Sequence, residues 1–197
     1  MATVVLVVLA YLIGSVSFAV IVSAVLRLPD PRGYGSGNPG ATNVLRSGKK
    51  TAAALTLVGD VLKGVVAVWL AKSVGPEVGA SAQTVPLAGL AAFLGHLYPV
   101  FFRFRGGKGV ATAGGILFAF GWPVALVAVA TWIGVFSLTR VSSLGALSAA
   151  VAAPVAAWYF LGAGSYLAVV LVMTVLLIWR HRANIRKLLE GTEGKVV

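Results

Sequence analysis

The amino-acid sequence predicts an all-α polytopic integral membrane protein, and composition, hydropathy and segment length each support this fold class. Hydrophobic residues make up 59% of the 197 positions and charged residues only 11%, whereas soluble domains carry about 25% charged residues. The mean hydropathy is +0.96. This composition excludes a water-soluble domain and also excludes a disordered chain, which needs low hydrophobicity. We expect one domain over residues 1–197, with seven transmembrane helices.

The apolar segments place these helices, because a membrane span needs about 20 mostly apolar residues. The first is expected as one continuous, retained helix from Thr3 to Leu26, since this stretch is uncharged and too long for a signal peptide. Further apolar segments cover residues 53–73, 85–102, 110–138, 144–161 and 166–179. Proline breaks or kinks a helix, so Pro123 makes segment 110–138 either one kinked span or two short ones.

The distribution of basic residues decides between these alternatives. Five Lys and Arg residues lie in 27–50, three in 103–108, one at position 140 and five in 180–195. If 110–138 forms two spans, of about 12 and 16 residues, these fourteen of the sixteen basic residues share one side. Cytoplasmic loops carry the excess of Lys and Arg. We therefore predict short fourth and fifth helices, an outside N-terminus, a cytoplasmic C-terminus and an active site at the cytoplasmic face.

Two glycine-rich segments on that face have the composition of anion-binding loops. In Asp30–Lys50, glycines allow backbone N–H groups to converge into a nest, which binds anions beside cations such as Arg46. In Arg103–Gly115, a Gly-Gly-Lys-Gly sequence precedes a predicted helix, and backbone donors with a lysine suit a phosphate. The spacing is not that of a nucleotide P-loop. The alternatives are a flexible solvated loop and a simple tight turn.

The third polar segment, Trp179–Glu193, places His181 and Asn184 at helical spacing. One helix face is therefore expected to present both side chains. The alternative is a basic helix that lies on anionic lipid.

Four further polar residues lie in or near the apolar segments, and each has a structural interpretation. Asp60 and Lys63 form either an ion pair one turn apart or part of the anion site. His96 is expected as a buried, hydrogen-bonded structural histidine. Ser143 is either a helix N-cap or a ligand group.

The composition also limits the chemistry. The absence of Cys excludes a thiolate nucleophile, and five carboxylates with two histidines make a metal cage hard to assemble. We predict neither a metal nor a cofactor. Cationic loops at one end of an apolar bundle suit a substrate with phosphate groups and an apolar tail. Both acyl transfer to a phosphorylated alcohol and transport of an organic phosphate fit this description.

Three motifs resemble, in the same order, those of a known family. GSGNPGATNVLR at 35–46, FRGGKGVATAGG at 104–115 and HRANIRKLLEGTE at 181–193 closely resemble the signature segments of the bacterial acyl-phosphate-dependent glycerol-3-phosphate acyltransferases, the PlsY family. GDVLKG at 59–64 and GHLYP at 95–99 extend the resemblance over nearly the whole chain. It implies transfer of a fatty acyl group from acyl phosphate to the 1-hydroxyl of sn-glycerol 3-phosphate, giving lysophosphatidic acid and phosphate. It also implies a place in the bacterial cytoplasmic (inner) membrane, near the enzyme that makes acyl phosphate.

The same resemblance implies the site residues. The expected catalytic residues are Ser36, Arg46, Lys108, His181 and Asn184. The expected substrate-binding residues are Gly37, Asn38, Gly40, Ala41, Thr42, Asn43, Gly106, Gly107, Gly109, Lys63, Ser143 and Glu193. We hypothesise that Ser36 and the N–H groups of residues 37–43 hold the acyl phosphate and stabilise developing negative charge. The residues expected to orient glycerol phosphate are Lys108, Arg46, His181 and Asn184.

The base that accepts the hydroxyl proton has two candidates. A neutral imidazole at His181 has a suitable unperturbed pKa of about 6.5, and a phosphate oxygen of the acyl donor has a second pKa of about 6 by analogy with phosphomonoesters. Arg180 and Arg182 flank His181 and tend to lower its pKa, which favours the substrate-assisted route.

Two other functions would require different distributions of polar and basic residues along the sequence. An organic-phosphate transporter needs polar residues along a path through the bilayer, whereas this chain gathers them at one predicted face. A membrane-anchored nucleic-acid binder needs a basic surface patch with exposed aromatics, whereas these cations alternate with Gly, Asn and Ser. We therefore expect no nucleic-acid partner.

Overall fold

The computed structural model describes residues 1–196, and within that range the chain is helical, with no β-strand. Its helices are α1 (Ala2–Gly14), α2 (Phe18–Val25), α3 (Ala41–Leu45), α4 (Lys50–Val74), α5 (Thr84–Leu97), a 3₁₀ helix (Val100–Phe102), α6 (Val110–Phe120), α7 (Trp122–Thr139), α8 (Ser142–Leu161), α9 (Ser165–Arg180) and α10 (Arg182–Leu189). The chain divides into two compact units, Met1–Ala119 and Phe120–Val197. The expectation of a single domain stays a prediction.

Four helical segments are long and apolar enough to cross a membrane: Lys50–Val74, Thr84–Phe102, Trp122–Thr139 and Ser142–Leu161. Two bent pairs, α1 with α2 and α9 with α10, raise this number to six if each pair is one span. Helix α6 has only 11 residues. The polytopic helical class is thus supported, while seven spans and their orientation stay predictions.

The prediction of one continuous first helix over 3–26 is wrong. The chain leaves the helix between α1 and α2, and the two axes differ by 43°. Ser15 Oγ donates to the carbonyl of Tyr11 at 2.9 Å, a local bond of the kind that competes with regular helix geometry. Lys63 Nζ donates to the carbonyl of Val16 at 2.7 Å. The break therefore persists in an apolar environment because a side chain supplies the partner that the exposed carbonyl needs.

The predicted division of segment 110–138 is confirmed. Helix α6 ends at Phe120, Gly121 is extended with φ −174°, and α7 begins at Trp122. Pro123 lies in the first turn of α7, where the missing N–H of proline has no helical partner to lose. The second helix is 18 residues long, slightly longer than expected.

The third motif also contains a bend. Helices α9 and α10 meet at His181 at an angle of 58°. His181 therefore precedes the helix that carries Asn184. The prediction that the two side chains share one uninterrupted helix face is wrong.

Close backbone approach organises the first unit. A Cβ at Gly14 would overlap the backbone of Ala92, and a Cβ at Gly95 would overlap the carbonyl of Tyr11. Helices α1 and α5 thus touch backbone to backbone, as small residues permit in membrane proteins. Helix α4 contacts α1, α2, α3 and α5 in this unit. In the second unit, α8 contacts both α7 and α9.

Replacing Gly14 with Ala is expected to destabilise the protein, because the rigid backbone of Ala92 cannot move aside for the new Cβ. Overpacking of this kind costs about 1–3 kcal/mol of the free energy of unfolding. The measurement is thermal unfolding of the purified protein in detergent. Gly134→Ala is the matched control, since nothing lies within 4 Å of a Cβ at that position. Equal melting temperatures for the two variants would contradict the close approach of α1 and α5.

Candidate active site

The side chain of Asn43 organises the first glycine-rich loop. Its Oδ1 accepts a hydrogen bond from the Ser36 backbone N–H at 2.9 Å. Its Nδ2 donates to the carbonyls of Pro31 at 2.7 Å and Tyr34 at 3.1 Å. Asn43 is only 2% exposed, so these bonds form away from solvent, where an unmade hydrogen bond costs most. Asn43 therefore joins α3 to the segment before Ser36.

The loop uses several of its own N–H groups. Gly37 N–H donates to the carbonyl of Tyr34, and Gly40 N–H donates to that of Asn38, both at 2.9 Å. Gly37 has φ +66°, a left-handed conformation that glycine adopts without steric cost. Gly40 precedes α3, and among the described residues the Asn38 and Ala41 N–H groups have no acceptor in the chain. The loop is thus a turn with preset geometry, in which only part of the predicted N–H row remains for an anion.

The two predicted catalytic side chains of this loop face solvent. Ser36 and Arg46 are both exposed, while Asn38 and Thr42 are half-buried. Because Ser36 is bonded to Asn43 through its backbone N–H, its hydroxyl is not needed for the fold of the loop. Its chemistry and its structural role are therefore separable.

The second glycine-rich loop lies flat against the end of α5. Gly107 N–H donates to the carbonyl of His96 at 3.1 Å. A Cβ at Gly106 would overlap that same carbonyl, and a Cβ at Gly107 would overlap the His96 ring. Gly109 has φ +87°, and a Cβ there would overlap Phe93. Within residues 106–109 Lys108 is the one residue with a side chain, and it is half-buried.

A buried polar network lies behind this loop. Lys63 Nζ lies 3.0 Å from Asp60 Oδ1, and each side chain is 3% exposed, so the predicted ion pair is confirmed. His96 Nδ1 lies 3.7 Å from the same carboxylate oxygen and 3.1 Å from Thr112 Oγ1. His96 is 7% exposed, which confirms the prediction of a buried, hydrogen-bonded histidine. Lys63, predicted to bind substrate, is placed here inside α4 and bonded to Val16.

The sequence predicted separate roles for Asp60, Lys63 and His96 and did not predict that they form one network. His96 contacts Gly107 through its backbone and Thr112, in the first turn of α6, through its ring. It therefore joins both ends of the Lys108 loop to α5. The signal available in the sequence was the presence of GDVLKG and GHLYP in apolar segments, where ionisable residues are costly and usually functional.

In the second unit, His181 lies at the bend between α9 and α10 and is 2% exposed. Its Nδ1 lies 2.8 Å from the carbonyl of Leu177. Because a carbonyl only accepts, Nδ1 carries the proton in this contact, and Nε2 is the basic nitrogen of the neutral ring. Arg182 lies over the Trp179 ring, 4.7 Å from its centroid.

Glu193 joins the C-terminal segment to two helices of the same unit. Its Oε1 accepts from Ser143 Oγ at 2.5 Å and from Asn184 Nδ2 at 2.6 Å. Val196 N–H donates to the carbonyl of Arg140 at 2.9 Å. Ser143 follows Ser142 inside α8, whose N-cap is Val141, so the N-cap interpretation of Ser143 is wrong. Three predicted site residues thus form one carboxylate-centred cluster.

The described residues contain no group of three or more His, Cys, Asp and Glu side chains placed to hold a metal ion. The groups available for chemistry are cations, amides, hydroxyls and backbone N–H donors, carried on two loops in the first unit and at one bend in the second.

Comparison with known proteins shows which family the chain is similar to. The family model for glycerol-3-phosphate acyltransferase matches residues 4–191. The glycerol-3-phosphate acyltransferase of Methylobacillus flagellatus is 59% identical over 190 residues, covering 96% of this chain and 95% of the relative. That of Laribacter hongkongensis is 56% identical over 196 residues, covering 100% and 97%.

Two crystal structures of PlsY, an integral membrane glycerol 3-phosphate acyltransferase, have the same fold. The glycerol 3-phosphate form has a TM-score of 0.91 at 39% identity, covering 99% of this chain and 96% of that chain. The lysophosphatidic acid form has a TM-score of 0.89 at 38% identity, covering 99% and 95%.

Replacing Asn43 with Asp is expected to open the first loop, because a carboxylate oxygen would face the carbonyls of Pro31 and Tyr34 in place of the amide donors. Each lost hydrogen bond is worth about 0.5–1.5 kcal/mol. Trypsin should then cleave faster after Arg32 and Arg46, as followed by mass spectrometry. Ser36→Ala is the control, since Ser36 is bonded to Asn43 only by its backbone. Equal cleavage of the two variants would show that Asn43 does not hold this loop.

Proposed function

The chain belongs to the glycerol-3-phosphate acyltransferase family, and from this premise we propose that it transfers a fatty acyl group from acyl phosphate to the 1-hydroxyl of sn-glycerol 3-phosphate. The products are 1-acyl-glycerol 3-phosphate and inorganic phosphate. Relatives named for this acylation, and PlsY structures in glycerol 3-phosphate and lysophosphatidic acid forms, support the acceptor and the product. The donor is the finer part of the proposal.

The reaction matches the groups that the chain offers. Acyl phosphate is a mixed anhydride with an activated leaving group, so attack by the hydroxyl forms the ester and breaks the acyl–phosphate bond. The hydroxyl proton passes to a base, and phosphate leaves with the bonding electrons. The protein must hold two phosphate-bearing substrates and stabilise negative charge on the acyl oxygen. It supplies cations and N–H donors on preset loops, which is the observation that carries the proposal.

We assign the acyl phosphate to the first loop. Ser36 is exposed there, and the Asn38 and Ala41 N–H groups belong to the same loop. A preset turn binds an anion without first ordering its own backbone, so the donors are already oriented when charge develops. Asn43 acts as a positioning residue for this loop.

We assign glycerol 3-phosphate to Lys108 and its flanking glycines. Their absence of side chains lets the loop lie flat against α5, and the buried network of Asp60, Lys63 and His96 holds the loop from behind. Lys63 is then a positioning residue, not a substrate contact. In the second unit, Asn184 is expected to orient the acceptor, while Glu193 and Ser143 position Asn184.

The proton acceptor is assigned to a phosphate oxygen of the acyl donor, with His181 orienting the acceptor. The hydrogen bond from Nδ1 to the carbonyl of Leu177 orients the neutral imidazole, and its basic lone pair is then on Nε2. This geometry also suits a general base, and the His181→Gln variant distinguishes the two roles. The enzyme is expected to act at the cytoplasmic face of the bacterial inner membrane, near the source of acyl phosphate. An organic-phosphate transporter is the alternative function.

Purified protein is expected to form lysophosphatidic acid from palmitoyl phosphate and glycerol 3-phosphate in the presence of a metal chelator. Acyl-CoA as the sole donor should give no product, and Ser36→Ala should lower kcat by about 100-fold or more. The measurement is radiolabelled glycerol 3-phosphate recovered in lipid. Product from acyl-CoA alone would make the donor assignment wrong. Transfer from neither donor, with uptake of glycerol 3-phosphate into vesicles, would instead support a transporter.

His181→Gln separates the two candidate bases. If a substrate phosphate takes the proton, kcat should stay within about tenfold of wild type, while the KM for glycerol 3-phosphate rises. Loss of a general base lowers the rate by about 10²–10⁴-fold, and that loss, together with disappearance of the acidic limb of the pH–rate profile, would identify His181 as the base. Arg182→Gln is the control, because this neighbouring exposed cation lies over Trp179.

A further inference from the structure

An arginine-lined cleft lies in the first unit, and its lining includes none of the predicted catalytic and substrate-binding residues. Its volume is about 530 Å³, and its lining includes Asp30, Arg32, Phe101, Phe102, Arg103 and Arg105. None of the side chains assigned to the reaction lines it. We refer to it below as the arginine cleft.

One side of the arginine cleft is an ordered ion pair. Arg32 Nη2 lies 2.6 Å from Asp30 Oδ2, and Arg32 Nε lies 3.0 Å from Asp30 Oδ1. This hydrogen bonding holds the pKa of the Asp30 carboxyl below its ordinary value. The Arg32 guanidinium also lies 5.9 Å from the centroid of the Phe102 ring. The pair is therefore ionised at neutral pH, fixed in orientation and close to neutral in net charge.

The other side carries two cations without an acidic partner among the described residues, Arg103 and Arg105. The turn that carries them is strained, since Arg103 and Phe104 are consecutive left-handed residues with φ +55° and +58°. Each such residue costs about 1–2 kcal/mol. The Phe104 N–H donates to the carbonyl of Pro99 at 2.9 Å and stabilises the turn. Strain that the surrounding structure maintains is a reason to look for function at this turn.

The position of the cleft at the end of a candidate span predicts that it lies at the level of lipid headgroups. The candidate span Thr84–Phe102 ends directly before Arg103. Phe101 and Phe104, on either side of that end, are 59% and 58% exposed. Aromatic and basic residues at the end of a span are typical of the membrane interface, where anionic headgroups are found.

We propose that the arginine cleft binds the phosphate headgroup of an anionic phospholipid of the surrounding bilayer. Arg103 and Arg105 would contact the phosphate oxygens, which the planar guanidinium group matches with two parallel hydrogen bonds. The exposed rings of Phe101 and Phe104 would contact the first methylenes of the acyl chains. The cleft is larger than a phosphate ion, and apolar rings at its edge favour a lipid over a soluble phosphate. This binding needs no acyl donor and is independent of the proposed reaction.

The test is native mass spectrometry of the purified protein with phosphatidylglycerol or phosphatidylcholine, without any substrate. Wild type is expected to retain phosphatidylglycerol in preference to phosphatidylcholine. A double variant, Arg103→Asn with Arg105→Gln, should lower that retention roughly 25-fold, because each basic residue near an anionic headgroup contributes about a factor of five. Asn is chosen at position 103 because it tolerates positive φ, so the variant removes charge without adding strain.

The matched control is Lys49→Gln with Lys50→Gln, which removes the same charge from an exposed segment outside the cleft. It should lower retention several-fold less than the cleft variant, since Lys49 and Lys50 do not line the cleft and contribute only general attraction to anionic lipid. Equal losses in both double variants would overturn the proposal and leave only bulk electrostatic attraction. A single Arg105→Gln variant repeats the comparison if the double variant melts at a lower temperature than wild type.

A competition experiment separates the two sources of phosphate. Millimolar inorganic phosphate or glycerol 3-phosphate should not displace the bound phosphatidylglycerol from wild type. Displacement by either would overturn the lipid assignment and make the cleft a binding site for soluble phosphate. Because no acyl transfer is measured, failure here leaves the proposed enzymatic function untouched, and failure of that function leaves this result untouched.

Discussion

The buried ion pair of Asp60 and Lys63 is the contact on which the first unit depends. In a membrane the polar groups of a helix break and of a charged side chain have no water to satisfy them, so each must find a partner in the protein. Lys63 satisfies the carbonyl of Val16 where the first span bends, and Asp60 is shared with His96. One pair of opposite charges therefore stabilises a broken helix on one side and faces the histidine that supports the Lys108 loop on the other.

Single side chains of the motifs likewise form several contacts within the protein. Asn43 uses both ends of its amide to close the first loop, and Glu193 uses one carboxylate oxygen to join Ser143 and Asn184. A motif read only as a set of ligands assigns such residues to the substrate. Their contacts show that part of the motif forms the loop geometry on which the remaining residues act. A motif of many residues can therefore supply only a few groups for the reaction, because its other residues hold the loops in place.

The shortage of carboxylates has a physical role in the proposed chemistry. Two anionic substrates repel each other, and nearby acidic groups would add to that repulsion. Asp60 lies inside the first unit with a cation 3.0 Å away, and Asp30 is hydrogen-bonded to Arg32. Glu193 is bonded to a hydroxyl and an amide. Two of these three acidic groups thus lie beside a cation, and the third accepts two hydrogen bonds within the second unit.

The sequence by itself determined the helical membrane class, the division at Gly121 and the three motifs, because these follow from composition, from Pro123 together with the distribution of basic residues, and from motif spacing. The sequence left two roles open for Asp60 and Lys63, an ion pair one helical turn apart or part of the anion site, and the structure shows the ion pair. Only the tertiary structure decided that the first helix breaks, that His96 supports the Lys108 loop and that Asn43 and Glu193 are already bonded within the protein. Each of these depends on contacts between residues far apart in the chain, such as Lys63 with Val16 and Ser143 with Glu193. A one-dimensional pattern carries no information on which distant group will satisfy a buried donor or acceptor.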